Sequence, residues 1–262
     1  MILNCLVEGC SIRGTARLCS VEKRTVLSIL KLAGQSCERL FQERIRNVSV
    51  KDLELDEVWS YVGKHQRYVT PEEAGPHIGD AYTFIGLERT SKLVLAWHLG
   101  KRDGENTHEF VEKIRTATAP GRFDVSTDAF QPYETMIDMC LYDRANHSQV
   151  VKLFARREEY RESYRPPRFE CVQKTTVTGW PDLDRASTSH VERNNGTLRQ
   201  WCKRLGRLTY AFSRKWENLQ AALALHFAHY NFCRVHSALR VTPAIEAGIT
   251  DHVWTISELI NG

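Results

Sequence analysis

Three acidic residues stand where the patterning of the chain could put them to chemical use. Asp56 lies in Leu53-Glu-Leu-Asp-Glu-Val-Trp59, Asp128 closes Phe123-Asp-Val-Ser-Thr-Asp128, and Glu192 lies in Ser189-His-Val-Glu-Arg-Asn-Asn195. Breaking or transferring a phosphodiester needs an activated oxygen nucleophile and relief of charge on the leaving oxygen. Two Mg²⁺ ions about 3.5–4 Å apart can do both. Mg²⁺ takes oxygen ligands and keeps several waters, so a few carboxylates and a substrate phosphate suffice. Without a cation the same carboxylates would repel and push at least one pKa upward.

Single acids are weak signals, because most are solvated surface groups. Asp56 has Glu57 beside it, and strand alternation would turn the two to opposite faces, so one of them is expected at the site. Glu57 shares parity with Leu53 and Leu55, and Asp56 with Glu54 and Val58. With helices on both faces of the sheet, parity leaves the choice open. Asp128 is the stronger candidate, since it ends a clear apolar strand; Asp124 and Asp138 are its bland competitors. Glu192 opens a basic helix in which Arg193, Asn194, Asn195 and Arg199 could all meet a DNA backbone. Arg199 follows it by two helical turns on nearly the same face.

The elements that must position these groups are legible in outline. Leu53, Leu55, Val58 and Tyr61 bracket a first strand, Ala81–Leu87 fits a second and Lys92–His98 a third, joined by a turn near Glu88–Ser91. A helix follows in which Phe110, Val111 and Ile114 share a face. Phe123–Thr127 is a buried strand, a helix starts after Pro132, and Gln149–Phe154 is a fifth strand. Residues 155–185, punctuated by Pro166, Pro167 and Pro181, predict an irregular insertion. An amphipathic helix from about Arg214 to Arg234 closes the domain. The sum is an α/β fold, a mixed sheet with flanking helices.

Ahead of it, residues 1–34 predict short helices. Ala16 suits a close helix crossing, Ser20 a tight turn, and Val21, Val26 and Ile29 the apolar side of a second helix, in helix-turn-helix order. The exposed face would carry Glu22, Lys23, Arg24, Thr25 and Ser28, side chains suited to base edges or phosphates. Residues 35–50 form a charged linker, helical or loose.

Charge points the same way. Residues 1–50 hold eight Lys or Arg against four Glu, which accounts for the whole net charge of +4. Arg193–Lys215 holds seven basic residues, Lys203 and Arg204 among them, and no acidic one. Two basic regions favour a polyanionic partner, although solvated helical faces would leave the same pattern. At 262 residues and 42% hydrophobic content the chain can bury an ordinary core. It has no apolar run of the ~18 residues that span a bilayer and no secretory leader at its start, so a cytoplasmic location without membrane attachment is expected. The eight cysteines form no C-x-x-C pair and no zinc-site grouping with His, so they read as buried free thiols, and no structural zinc is expected.

At these residues the chain resembles the DDE transposases of the insertion-sequence-one type. The likeness rests on Asp56-Glu-Val-Trp-Ser-Tyr-Val-Gly63, on Ser126-Thr-Asp128 followed by Tyr133, and on His190-Val-Glu-Arg-Asn-Asn195. It continues in His229-Tyr-Asn-Phe-Cys-Arg-Val-His236, Ala238, Leu239 and Thr242-Pro243. The resemblance spans roughly residues 50–245. It implies a ribonuclease-H-like catalytic domain over 51–245 and a C-terminal tail over 246–262. Asp56, Asp128 and Glu192 would be both the catalytic and the metal-binding triad for two Mg²⁺ ions, or Mn²⁺ in their place. Lys23, Arg24, Thr25, Ser28, Arg193, Asn195, Arg199, Lys203 and Arg204 would bind DNA, with Arg199 near the cut. The implied reaction frees a 3′-hydroxyl at an element end by hydrolysis and directs it at target DNA. The partners are double-stranded DNA at terminal inverted repeats and at the target, and a second copy of the chain to pair two ends. Relatives often carry a zinc-finger segment ahead of the helix-turn-helix; this sequence starts too late to contain one and in that departs from the family's pattern. Two other readings use the same residues: a Mg²⁺-dependent DNA nuclease or resolvase, and a DNA-binding regulator whose catalytic domain no longer works.

Overall fold

The strand pattern that begins near Lys51 becomes the centre of a sheet. A computed structural model describes residues 1–154 and 168–262. Three helices come first, α1 (Ile2–Val7), α2 (Ile12–Leu18) and α3 (Lys23–Arg44). Strands β1 (Asp52–Val62), β2 (Gly79–Glu88) and β3 (Val94–Gly100) follow, then α4 (Gly104–Ala117), β4 (Phe123–Thr127), α5 (Gln131–Leu141) and β5 (Ala145–Phe154). The chain continues with β6 (Phe169–Thr178), α6 (Ser189–Trp201), α7 (Trp216–Phe232), α8 (Pro243–Glu246) and α9 (Ile256–Asn261).

Among the described residues six strands form one sheet in the order β3-β2-β1-β4-β5-β6. β1, β2 and β3 form an antiparallel meander, β4 and β5 run parallel to β1, and β6 returns antiparallel to β5. A short turn joins the antiparallel β2 and β3, a longer segment over 63–78 returns the chain from β1 to β2, and the helices α4 and α5 carry it over to β4 and β5, which run parallel to β1. Such a mixed sheet with helices on its faces is compatible with the expected ribonuclease-H-like fold. α4 covers one face, where Phe84, Leu55 and Gly86 meet Phe110 and Ile114. α6 and α7 cover the other, with Trp97 against Phe227. α3 packs along α7 so closely that Gly34 faces the backbone of Ala221.

Several expectations need correction. The insertion expected over 155–185 lies partly outside the described residues, and its Phe169–Thr178 part is the regular strand β6. That strand is exposed over most of its length on both faces, so no in-out alternation marked it. β5 starts at Ala145, four residues before the expected Gln149. α3 is one helix to Arg44, so the boundary placed at residue 34 falls inside it. The C-terminal segment read as a tail is packed: Trp254 lies tilted against Phe232 and Leu259 is fully buried. Of the cysteines, Cys37, Cys140 and Cys202 are buried, whereas Cys171 is exposed on β6, and all eight are free. At the N-terminus Ser11 caps α2 and Ser20 turns the chain with a left-handed φ of 52°. Ala16 and Val26 are buried where α2 meets α3. This is a helix, a turn and a helix, and the geometry alone does not make it a DNA-binding helix-turn-helix. Among the described residues no helix is long and apolar enough to cross a membrane.

Candidate carboxylate site

Alternation along β1 turns Asp52, Glu54 and Asp56 to one face of the sheet. Each takes a partner from the segment that leads into α6 or from α6 itself. Arg185 Nε donates to Asp52 Oδ1 at 3.2 Å. The backbone N–H groups of His190 and Val191 donate to Glu54 Oε2 at 2.8 and 3.0 Å, and His190 Nδ1 lies 2.8 Å from Oε1. Asn195 Nδ2 donates to Asp56 Oδ2 at 2.7 Å. Neighbouring β4 repeats the device: Asp182 N–H donates to Asp124 Oδ2 at 2.9 Å, and Ser187 N–H to Ser126 Oγ at 3.3 Å. Glu54 is 1% exposed. Its carboxylate takes up two of the orphan N–H groups in the first turn of α6, where the helix dipole also favours negative charge. α6 is thereby docked on the sheet at a set register.

That register brings two of the three expected acids together. The pairing of β1 with β4 matches Glu54 to Ser126; continued by two residues, it sets Asp56 abreast of Asp128. β4 stops at Thr127, so Asp128 stands at an open strand end. There its Oδ1 accepts from Phe130 N–H at 2.9 Å. Ligand oxygens of Asp56, Glu57 and Asp128 all lie within 4.8 Å of one another. Glu57, the neighbour weighed against Asp56, is brought to the same place. It starts from the opposite face of β1, among Tyr133 and Arg102, yet reaches Asp128 round the end of β4. Strand alternation separates neighbours only where strands lie on both sides, and here the adjoining strand has ended. Arg102 ties the group together, with Nε 3.3 Å from Glu57 Oε2 and Nη2 3.7 Å from Asp128 Oδ2, while its guanidinium stacks 3.9 Å from the centre of the Phe130 ring.

Glu192 stands outside this compact set. Its carboxylate pairs with Lys152 of β5 and accepts from Thr188 Oγ1 at 2.8 Å. It is still near enough for its charge to act on Asp56. Burial pushes Asp56 up to about 6, with Asp128 and Glu192 adding to the shift, against relief from the Glu57 N–H and from Arg199. Glu57 rises to about 7, again chiefly through burial, with the Asp128 and Asp56 charges adding and Tyr133 and Arg102 opposing. Three acids packed this way are a poor arrangement for an empty protein and a good one for a divalent cation. The chemistry of the donor set fits as well, since it is all oxygen, as Mg²⁺ prefers.

The residues expected to bind DNA fall into two groups. Lys23, Arg24, Thr25 and Ser28 are exposed on the first turns of α3, and Arg193 and Lys203 are exposed on and after α6. The other three are turned inward. Asn195 is buried and holds Asp56, which makes it a positioning group. Arg199 is half-buried, its Nε without a partner among the described residues, and its charge acts on Asp56. Arg204 is half-buried, donating to Ser213 Oγ at 2.7 Å with its Nη2 buried, so much of its guanidinium is packed against the fold. Sequence reasoning missed Glu54, Arg102 and Lys152. Parity with Asp56 could have found Glu54, and no signal marked the other two. The bland competitor Asp124 has a structural task, accepting from Asn146 Nδ2 at 2.8 Å as well as from Asp182.

No protein-family model matches the chain, and no curated protein matches it. Among solved structures, a cryo-electron-microscopy structure of a piggyBac transposase synaptic complex with hairpin DNA is similar with a TM-score of 0.35 and 9% identity. The match covers 81% of this chain and 51% of that one, so this chain spans about half of its length. A likeness this slight carries no weight for fold or function.

Proposed function

We propose that this protein is a DNA transposase of the DDE kind, cutting and joining phosphodiesters with Mg²⁺. The observation that carries the reading is the meeting of Asp56, Glu57 and Asp128 within 4.8 Å at the end of the parallel strands, with Glu192 beside them. Asp56 and Asp128 would hold the cations, with Glu57 or Glu192 completing the set. When bound, the ions would supply charge relief at the reacting phosphate and a nucleophilic oxygen at neutral pH.

The chain's own residues do the rest. Asn195 on Oδ2 and the Glu57 N–H on Oδ1 fix how the Asp56 carboxylate is turned, and Arg102 holds Glu57 and Asp128 in reach of each other. Lys152 neutralises Glu192 while no cation is present, and a DNA phosphate arriving at Lys152 would release it. Arg193 and Lys203 would meet the backbone of the DNA near the site. Lys23, Arg24, Thr25 and Ser28 would engage the element end. Pairing two ends would require two copies of the chain.

The test uses DNA oligonucleotides carrying the ends of the element that encodes the chain. Mg²⁺-dependent nicking and the joining of pre-cut ends to a second duplex are expected. Asp128→Asn should abolish both while leaving salt-sensitive DNA binding in place. Nicking without joining would establish a nuclease instead. Binding alone, unchanged by Asp128→Asn, would establish a regulator.

A further inference from the structure

We propose that His108, Glu112 and Cys140 form a second metal site, suited to a transition metal such as Zn²⁺, which clips α4 to α5. One ligand atom from each of the three lies within 4.8 Å of the other two. His108 and Glu112 are four residues apart on α4 and so share one face, one helical turn apart. Cys140 comes from the last turns of α5, which packs beside α4. Around a tetrahedral Zn²⁺, ligand atoms at ~2.0–2.3 Å from the metal stand roughly 3.3–3.8 Å from each other. The three side chains therefore need close by only about an ångström.

The donor chemistry sets this group apart from the carboxylate site. Nitrogen, oxygen and sulfur together suit Zn²⁺ and other borderline metals, whereas Mg²⁺ takes oxygen alone. Cys140 is buried while His108 and Glu112 are half-buried, which leaves a solvent-facing position for a water as fourth ligand. Glu112 has one further partner, Arg115 Nη1 at 3.8 Å, in an exposed pair within the same helix. Such a pair holds its carboxylate weakly. Binding would replace the Sγ–H bond of Cys140 with a metal–Sγ bond and release one proton to solvent. The sequence concealed the site because its cysteine comes from a different helix, outside any zinc-finger spacing. α4 begins just after Arg102 and α5 just after Asp128 and Phe130, so the clip would bind together the two helices that follow those residues.

The experiment takes the full chain, stripped of metal with a chelator, and titrates it with Co²⁺ as a spectroscopic stand-in for Zn²⁺. A thiolate-to-cobalt charge-transfer band saturating at one equivalent is expected, and Zn²⁺ should abolish it while millimolar Mg²⁺ should not. Cys140→Ser should remove the band, and His108→Ala, at a more exposed position, should weaken Co²⁺ binding at least tenfold. Arg115→Ala, which frees Glu112, should tighten it. Asp128→Asn and Cys19→Ser should leave the band intact, which separates this site from the carboxylates and from Cys19, whose thiol lies near those of Cys5 and Cys10 at the N-terminus. No sulfur band in the unmodified protein, an undiminished band in Cys140→Ser, or loss of the band in Cys19→Ser would each overturn the proposal. None of these readouts depends on the chain being a transposase.

Discussion

Replacing Glu57 with Gln should make the metal-free protein more stable while spoiling its response to Mg²⁺. Glu57 has a side chain 4% exposed and a pKa raised from 4.5 to about 7. The sign follows from proton binding. Between the ordinary value and about 7 the folded protein holds more protons than the unfolded one, so stability falls as pH rises through that window and the whole penalty stands above it. A shift of this size corresponds to about 3 kcal/mol. For a chain of this length that amounts to roughly 6–12 °C in melting temperature. The assay is thermal unfolding in EDTA at pH 5 and at pH 8. At pH 8 Glu57→Gln should melt well above the unmodified protein; at pH 5, where Glu57 is protonated in the folded chain but still largely ionised in the unfolded one, the gap should shrink to roughly a quarter. Adding Mg²⁺ at pH 8 should stabilise the unmodified protein by mass action and the variant far less. Equal melting temperatures at pH 8, or the same gap at both pH values, would refute the claim that these acids are packed against their own charge.

Three further perturbations probe the scaffold. Glu54→Gln should cost about 1–3 kcal/mol, because a buried acceptor facing two N–H groups becomes in part a donor; hydrogen exchange should quicken in residues 189–195 and stay unchanged in β2 and β3, and uniform protection would count against the docking role. Gly34→Ala places a Cβ 2.6 Å from Ala221 Cα, so α3 and α7 must separate; overpacking of about 1–3 kcal/mol should outweigh the helix propensity gained, and a higher melting temperature would contradict that close approach. Lys152→Met should change stability by less than about 1 kcal/mol, since the pair with Glu192 is partly exposed, yet Mg²⁺ titrated calorimetrically should bind more tightly once Glu192 is released; weaker binding would mean that Lys152 supports the site.

What could be read beforehand divides along physical lines. Asp128 was legible because Phe123, Val125 and Thr127 make a strand whose end is visible in the sequence. The parity shared by Glu54 and Asp56 was legible as well, but what faced that side of β1 was not, because the partners Arg185, His190 and Asn195 are far along the chain. Glu57 was set aside on the family resemblance, and alternation, which admitted one of the two neighbours, is a rule that weakens where β4 ends after Thr127. β6 was invisible for the opposite reason: Phe169–Thr178 is exposed on both sides, and periodicity records burial, not pairing. Arg204 sits in a basic run like its neighbours, and only its packing against Ser213 sets it apart.

The ladder on β1 also bears on how the proposed enzyme would move. Asp52, Glu54 and Asp56 bind Arg185, the start of α6 and Asn195 in turn, so the backbone from Arg185 to Asn195 is tied at several points. Glu192 lies inside that stretch, two residues after His190. Its helix cannot slide toward Asp56 without breaking the hydrogen bonds to Glu54, each a charge-assisted bond in a buried place. Its side chain is under no such restraint, because the partners holding it are a partly exposed lysine and a threonine in its own first turn. A change of rotamer, costing far less than a helix shift, would therefore be the step that brings Glu192 to the cations. The backbone is already in place for such a site, and the unfavourable charge is confined to side chains that a cation would relieve.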